Sequence, residues 1–256
     1  LRIKVLDDKL AAGRAAAEHA VVSLRHTLRE KSTVRLVAAT GASQIEFLEA
    51  LTAAPDIDWS RIEVFHLDEY VGLPATHPAS FRRYLLERLV RKTTVARFHP
   101  LNGESHPQVV ANEVGRELLS APVDLAFVGI GENGHLAFND PPANFETDEP
   151  YLVVDLDQAC RQQQVNEGWF AKIDEVPTKA ISMSIRQILR ATEIIAVVPE
   201  GRKVGAVKAC FEGDITPLAP ASILRRHANT TVYLDKASSS RLGRETLMRF
   251  SAAQTA

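Results

Sequence analysis

The stretch Val123–Pro142, VDLAFVGIGENGHLAFNDPP, constrains the fold of this chain more than any other. From Val123 to Ile130 it is an apolar run broken only by Asp124, the signature of a strand buried on both faces of a parallel sheet. Gly129, Gly131 and Gly134 then let the backbone turn tightly and approach a ligand with no Cβ in the way. His135, Asn139 and Asp140 follow, around Phe138. Ligands of open α/β sheets lie beyond the carboxyl ends of the strands. A histidine and a carboxylate delivered there predict an active site.

The same glycines spell G-x-G-x-x-G, the pattern of a dinucleotide-binding turn. That pattern holds a pyrophosphate only when its third glycine opens a helix. Here Pro141 and Pro142 follow within two turns, and a proline inside a helix costs about 3 kcal/mol. The strand also lies mid-chain rather than first. No nicotinamide dinucleotide and no other cofactor is expected.

Around this stretch, strand and helix patterns alternate. Ile3–Leu6 reads as an edge strand and Leu10–Arg29 as a long amphipathic helix. Val34–Ala39 is a strand running into Thr40, Gly41, Ala42 and Ser43, with a helix from Gln44 to Leu51. Such a junction offers free amides and two hydroxyls at the positive end of a helix, either as an anion site or as an ordinary cap by Ser43. Arg61–Leu67 is the next strand and delivers Asp68, Glu69 and Tyr70 at its end; His66 within it reads as a packed core histidine. Helices are expected over Ala79–Lys92 and Gln108–Leu119, strands over Tyr151–Asp155 and Ala180–Ile185, and a short helix over Ile188–Thr192. Gln158–Lys172 has no clean period and is either a mobile lid or a connecting excursion. Glu193–Val198 is a strand, followed by a helix near Arg202 that carries Lys203 at its start. Thr231–Leu234 is the last strand, and the tail is helical, then polar. The fold expected is α/β: an open, mostly parallel, Rossmann-like sheet with helices on both faces, one domain over residues 1–256 with a small lid at about 150–182.

Composition narrows the function. With 256 residues, 45% hydrophobic, 24% charged and a net charge of −2, the chain can bury a large core and has no electrostatic footprint for nucleic acid. Cys160 and Cys210 are its only cysteines, too few for a disulfide framework. No apolar run reaches the roughly 18 residues of a membrane span, and no signal-peptide pattern opens the sequence. A cytoplasmic protein without membrane partners is the expectation. Its 8 histidines are scattered, with no metal-ligand grouping, and no serine sits in a nucleophile elbow. The groups at strand ends divide in two: Thr40–Ser43 and Lys203 suit a phosphate, and Asp68, Glu69, His135 and Asp140 suit proton transfer near neutral pH. Together they predict a cofactor-free, metal-free enzyme acting on a small phosphorylated molecule by acid–base chemistry.

Two longer motifs carry a resemblance. Phe65-His66-Leu67-Asp68-Glu69-Tyr70-Val71-Gly72-Leu73, followed by His77-Pro78 and Ser80, and Gly129-Ile130-Gly131-Glu132-Asn133-Gly134-His135-Leu136-Ala137-Phe138-Asn139-Asp140-Pro141 resemble signatures of the glucosamine-6-phosphate deaminase (isomerase) family. Leu101-Asn102-Gly103 and Glu212-Gly213 fall where that family has similar pieces. The resemblance, which spans nearly the whole chain, implies conversion of glucosamine 6-phosphate and water to fructose 6-phosphate and ammonia. It implies Asp68 as the base moving a proton between C2 and C1, and His135 as the group assisting ring opening with Asp140 behind it. Glu69, beside the base, is implied in a supporting role and completes the candidate catalytic set with Asn133, and Gly41, Ala42, Ser43 and Lys203 match phosphate-holding positions.

The sequence also departs from that pattern. Many members carry Glu at the position of Asp140, and some carry Asp at that of Asn133. The lid arginine expected just before a Phe-Phe pair is missing, because the pair here is Trp169-Phe170 after Glu167-Gly168. Arg161 and Arg202 are candidate substitutes, and Gln162, Gln163 and Gln164 are candidates to reach the sugar. The basic residues of an allosteric site are absent around Ala143–Thr147, so allostery is not expected. Three rivals remain. One is a 6-phosphogluconolactonase, whose Asp-Gly-His-containing loop fits less well, and another is a deaminase of the galactosamine epimer. The third is a non-catalytic sugar-phosphate sensor, disfavoured by the presence of both Asp68 and His135. A homo-oligomer is left open.

Overall fold

The computed structural model describes residues 1–251, so the polar end of the tail lies outside the described residues. In chain order the elements are β1 (Arg2–Leu6), α1 (Lys9–Glu30), β2 (Val34–Ala38), α2 (Ile45–Ala53), β3 (Ile62–His66), β4 (Asp68–Tyr70), α3 (Phe81–Arg88), β5 (Arg97–His99), α4 (Pro107–Leu119) and β6 (Leu125–Val128). They continue as β7 (Tyr151–Asp155), α5 (Gln158–Asn166), β8 (Lys179–Met183), α6 (Ile185–Ile188), β9 (Glu193–Val198), α7 (Val204–Glu212), β10 (Thr230–Asp235) and α8 (Arg244–Ser251).

Seven strands form one sheet in the order β1-β10-β9-β6-β2-β3-β5, and every pairing in it is parallel. Both faces are covered, as an all-parallel sheet requires. The pleat sorts β2 between the two cores: Val34, Leu36 and Ala38 pack with α1 and α2, whereas Val37 on the other face packs with residues of α4 and α7. Arg35 shares the second face, where its guanidinium donates to the carbonyls of Glu117, Leu118 and Ala121 at the end of α4. Cationic hydrogen-bond donors suit the negative end of a helix.

From β2 the chain winds outward through β3 to β5, then returns to place β6 on the other side of β2, from which β9 and β10 continue outward. The winding direction therefore reverses between β2 and β6. At such a switch point the loops leaving two neighbouring strands diverge and open a crevice.

A second sheet, of three antiparallel strands in the order β4-β8-β7, stands beside this crevice. Asp68-Glu69-Tyr70 is thus a strand of its own rather than a loop at the end of β3. Three residues are too short for a period to show, and the partner that makes them a strand, β8, lies far along the sequence. The strand expected over Ala180–Ile185 stops at Met183, because the Ser184 side chain accepts from Gln187 N and caps α6. The short helix expected over Ile188–Thr192 accordingly lies earlier, at Ile185–Ile188. Within Gln158–Lys172, the first nine residues are helical, capped by Asp157 accepting from Cys160 N.

Candidate active site

The crevice is a cleft of about 520 Å³, including its open mouth. Its walls come from the exits of four parallel strands: Ala39–Ser43 after β2, Leu67 and Asp68 after β3, Gly129–Gly131 and His135 after β6, and Lys203 after β9. Gln163, Gln164 and Glu167, from α5 and the residue that follows it, close the remaining side.

One end is built mainly from backbone. Gly41 takes φ 95°, which only glycine adopts without strain, and a Cβ there would meet nothing within 4 Å. The left-handed turn aims the chain into a 3-10 turn at Ala42–Gln44 that runs on into α2. The opening amides of such a helical run have no intrahelical acceptor. The Tyr84 hydroxyl donates to Gly41 O at 3.0 Å and holds the loop from α3. Gln44 Nε2 donates to Ser43 Oγ at 2.9 Å and to Val197 O at 3.3 Å, fixing the serine against β9. Lys203, 3% exposed, brings the charge. Burial pushes its ammonium down to about 8, against the pull of Glu167. Amides, hydroxyls and one ammonium converge here on an anion-sized space.

At the other end stands Asp68. Its carboxyl is buried, and Oδ1 has no hydrogen-bond partner within the protein. Burial, and then the neighbouring Glu69 charge, push it up to about 8. A carboxylate with a free oxygen and an elevated affinity for protons is suited to take one from carbon. Glu69 does not share that role. Successive strand side chains face opposite ways, so Glu69 turns from the cleft toward the N-terminus of α3. There it accepts from Tyr70 N (3.0 Å), Ser80 Oγ (3.0 Å), Phe81 N (3.1 Å) and Arg82 N (2.7 Å). Glu69, grouped with the catalytic candidates as a support for Asp68, lies outside the cleft and anchors the loop that presents Asp68.

His135 is reached by a close approach of backbone. A Cβ on Gly131 would lie 2.2 Å from the imidazole, so only glycine admits the ring. Its Nδ1 lies 3.2 Å from Asp140 Oδ1. Asn133 Nδ2 donates to Asp140 Oδ1 (3.1 Å) and to Asp157 Oδ2 (3.2 Å), Asn133 Oδ1 accepts from His135 N (3.1 Å), and Asp157 N donates to Asp140 Oδ2 (3.1 Å). Burial alone would raise Asp140, but His135, Asn133 and the Asp157 amide together hold its carboxyl below the usual range. Asn139 Nδ2 donates to Leu136 O, Ser182 Oγ and Met183 O, tying the loop to β8. These bonds hold Ala137 at φ 53°, a conformation that non-glycine residues seldom adopt and that clusters at functional sites. After Gly134 the chain forms this turn rather than a helix, so the dinucleotide geometry is not built.

The structure brings Asp68, His135, Thr40, Gly41, Ala42, Ser43, Lys203 and Gln163 to one cleft, with Asp140 and Asn133 directly behind His135. Arg161 is not brought there. Its guanidinium donates to Ile173 O and Val176 O, closing the turn after α5. Arg202 is likewise engaged, by Glu132, Glu167 and Glu200. Gln162 is exposed and bonds Asn166. Sequence reading missed Asp157, Ser182 and Glu167; the Asp157-Gln158 start of a helix was a usable signal for the first, and nothing local marks the others. Nitrogen, oxygen and sulfur atoms of His135, Asp140 and Cys160 lie within 4.8 Å of one another, a donor set that could hold a divalent ion.

Comparison with known proteins places the chain in a family. Residues 7–233 match the family described as glucosamine-6-phosphate isomerases/6-phosphogluconolactonase. A glucosamine-6-phosphate deaminase of Streptococcus pneumoniae serotype 4 is 37% identical over 198 residues, covering 77% of this chain and 83% of that protein. A solved structure of a monomeric glucosamine-6-phosphate deaminase superposes with a TM-score of 0.85 at 26% identity, covering 94% of this chain and 99% of that one. The 6-phosphogluconolactonase of Thermotoga maritima shares the fold, with a TM-score of 0.75 at 19% identity over 91% of this chain and 98% of its own. With the parallel sheet, the switch-point cleft and both long motifs in place, the chain belongs to the glucosamine-6-phosphate isomerase/6-phosphogluconolactonase family.

Proposed function

We propose that this protein is a glucosamine-6-phosphate deaminase, converting glucosamine 6-phosphate and water to fructose 6-phosphate and ammonia. The observation that carries the reading is Asp68, a buried carboxylate with an unpartnered oxygen in the same cleft as the His135–Asp140 pair and the Thr40–Ser43/Lys203 end. The substrate's phosphate sits at that end, against the amides of Gly41–Ser43 and the Lys203 ammonium, so that the sugar carbons run toward Asp68.

His135, held by Asp140, passes a proton at the ring oxygen as the pyranose opens. Asp68 then removes the proton from C2 of the open-chain amino aldehyde and returns it to C1. The C2–H bond breaks, a C1–H bond forms, one N–H proton passes to the C1 oxygen, and the aldehyde becomes a hydroxyl as the nitrogen at C2 becomes an imine. Water adds to that carbon and ammonia leaves, which makes the overall step hydrolytic. Asn133 and Asp157 position Asp140 and touch no substrate. The stretch at 150–182 acts as a lid only in its middle, α5 and the turn to Val176, because β7 and β8 on either side are bound into the small sheet. Gln163 and Gln164 meet the sugar from this lid. The free thiols of Cys160 and Cys210 suit a reducing, cytoplasmic setting.

The test is incubation of the protein with glucosamine 6-phosphate, without added metal or nucleotide, measuring ammonia and fructose 6-phosphate together. Equal yields of both, abolished by Asp68→Asn, are expected. A folded protein that turns over galactosamine 6-phosphate or the 6-phosphogluconolactone instead would overturn the substrate.

A further inference from the structure

Glu167 is a carboxylate where a phosphate-binding cleft should have none. It lines the cleft and is almost wholly buried. Four side chains converge on it: Gln163 Nε2 donates at 2.7 Å, Trp169 Nε1 donates at 3.1 Å, the Arg202 guanidinium pairs with it, and Lys203 Nζ lies 4.0 Å away. Lys203 and the Arg202 charge together hold its carboxyl below the usual range, against the effect of burial. Arg202 is shared with Glu132 and Glu200, so Lys203 is the cation whose charge is least occupied by others. A phosphate dianion entering beside Lys203 would meet Glu167 as a like charge at close range, between two side chains that are themselves buried.

We propose that Glu167 is a specificity-determining residue that serves as an internal anion for Lys203 in the empty site and is displaced from it by the phosphate of the substrate. The inference rests on the reading that the Thr40–Ser43/Lys203 end seats that phosphate. The position of Glu167 permits the exchange. It caps the last turn of α5 and precedes Gly168, whose φ of 81° ends the helix in a left-handed turn, so the carboxylate can swing about its own side-chain bonds on a segment outside the parallel sheet. Trp169 would move with it, losing its bond to Glu167 and changing its contact with Tyr84. A site built this way binds weakly those anions that cannot also anchor their sugar, because each must first release an anion already in place.

The test titrates inorganic phosphate into the full chain and into Glu167→Gln by calorimetry, with tryptophan emission followed in parallel. Glu167→Gln is expected to bind phosphate about tenfold more tightly or better, and its gain with glucosamine 6-phosphate is expected in KM rather than in kcat. Phosphate should shift the emission of Trp169 in the wild type. Equal or weaker phosphate binding by the variant would overturn the inference alone and leave Glu167 as a buttress of Lys203. Absence of phosphate binding by both proteins would overturn the inference together with the phosphate seat itself. Should Glu167→Gln not fold, Trp169→Phe replaces it: removing one donor to the carboxylate should tighten phosphate by about two- to threefold, and no gain would count against the proposal.

Discussion

Two aspartates serve the proposed reacting end of this cleft in opposite surroundings, one lining it and the other behind His135. Asp68, on β4, is buried, has an acidic neighbour and an oxygen with no partner, and its carboxyl is pushed up to about 8. The carboxyl of Asp140, on the loop after β6, is also largely buried, yet it faces an imidazole, accepts from a side-chain amide and a backbone amide, and is held down. Burial is common to both; the supply of donors separates them. Environments that drive two like groups apart assign their roles. In the proposed reaction Asp68 exchanges protons, and Asp140 stays charged and steers His135.

Asp68→Asn should break this contrast with the largest effect, lowering kcat by about 10³- to 10⁴-fold in a fructose 6-phosphate assay. Its stability should move the other way. The unfolded chain releases the Asp68 proton above about pH 4, whereas the folded chain keeps it to about pH 8. Wild-type stability therefore falls across that window at up to about 1.4 kcal/mol per unit, a slope the Asn variant lacks. Denaturant melts should show the variant equal to wild type near pH 4 and more stable at pH 8. For the wild type, kcat/KM should rise as Asp68 ionises and fall as Lys203 loses its proton, both near 8, giving a narrow bell.

Asp140→Asn should lower kcat by roughly 10- to 100-fold, since a positioning charge is lost while the base remains. The rising limb near pH 8 should survive in this variant, which would confirm that the limb belongs to Asp68. Its stability should lose the acid-side dependence: a depressed carboxyl stabilises the fold above its unfolded value and loses that contribution as pH falls through the folded one. Gly131→Ala, which would push a methyl into the His135 ring, should cost about 1–3 kcal/mol of stability and reduce kcat by about tenfold as the imidazole shifts. The smallest effect on turnover should come from Glu69→Gln. It removes a charge that four donors hold, costing about 1–3 kcal/mol in a thermal melt, with kcat within about threefold of wild type.

Much of this was legible in the sequence. Strongly apolar runs such as Val123–Ile130, which contains β6, and Glu193–Val198, which is β9, announce a parallel sheet, because burial on both faces leaves no polar alternation. Residues at their carboxyl ends, Gly41–Ser43, Asp68, His135 and Lys203, could be gathered into one site because the geometry of such sheets puts strand exits together. Gly131 and Gly41 carry backbone requirements that no other residue meets, so their presence marked the turns. The two long motifs did the same for the family.

Side-chain direction was not legible, since it depends on partners distant in sequence. Asp68 and Glu69 are adjacent acids in the sequence, and only their pairing with β8 sends one into the cleft and the other to the amides of α3. Arg161 offered a charge of the right kind, but the carbonyls at the end of its own turn claim it. Asp157 and Glu167 gain their meaning from Asn133, Asp140, Lys203 and Arg202, which arrive from other strand exits. Local pattern determines which elements form and where they end; the meeting of loops from separate strands decides which charges are satisfied, which are left free, and so which can react.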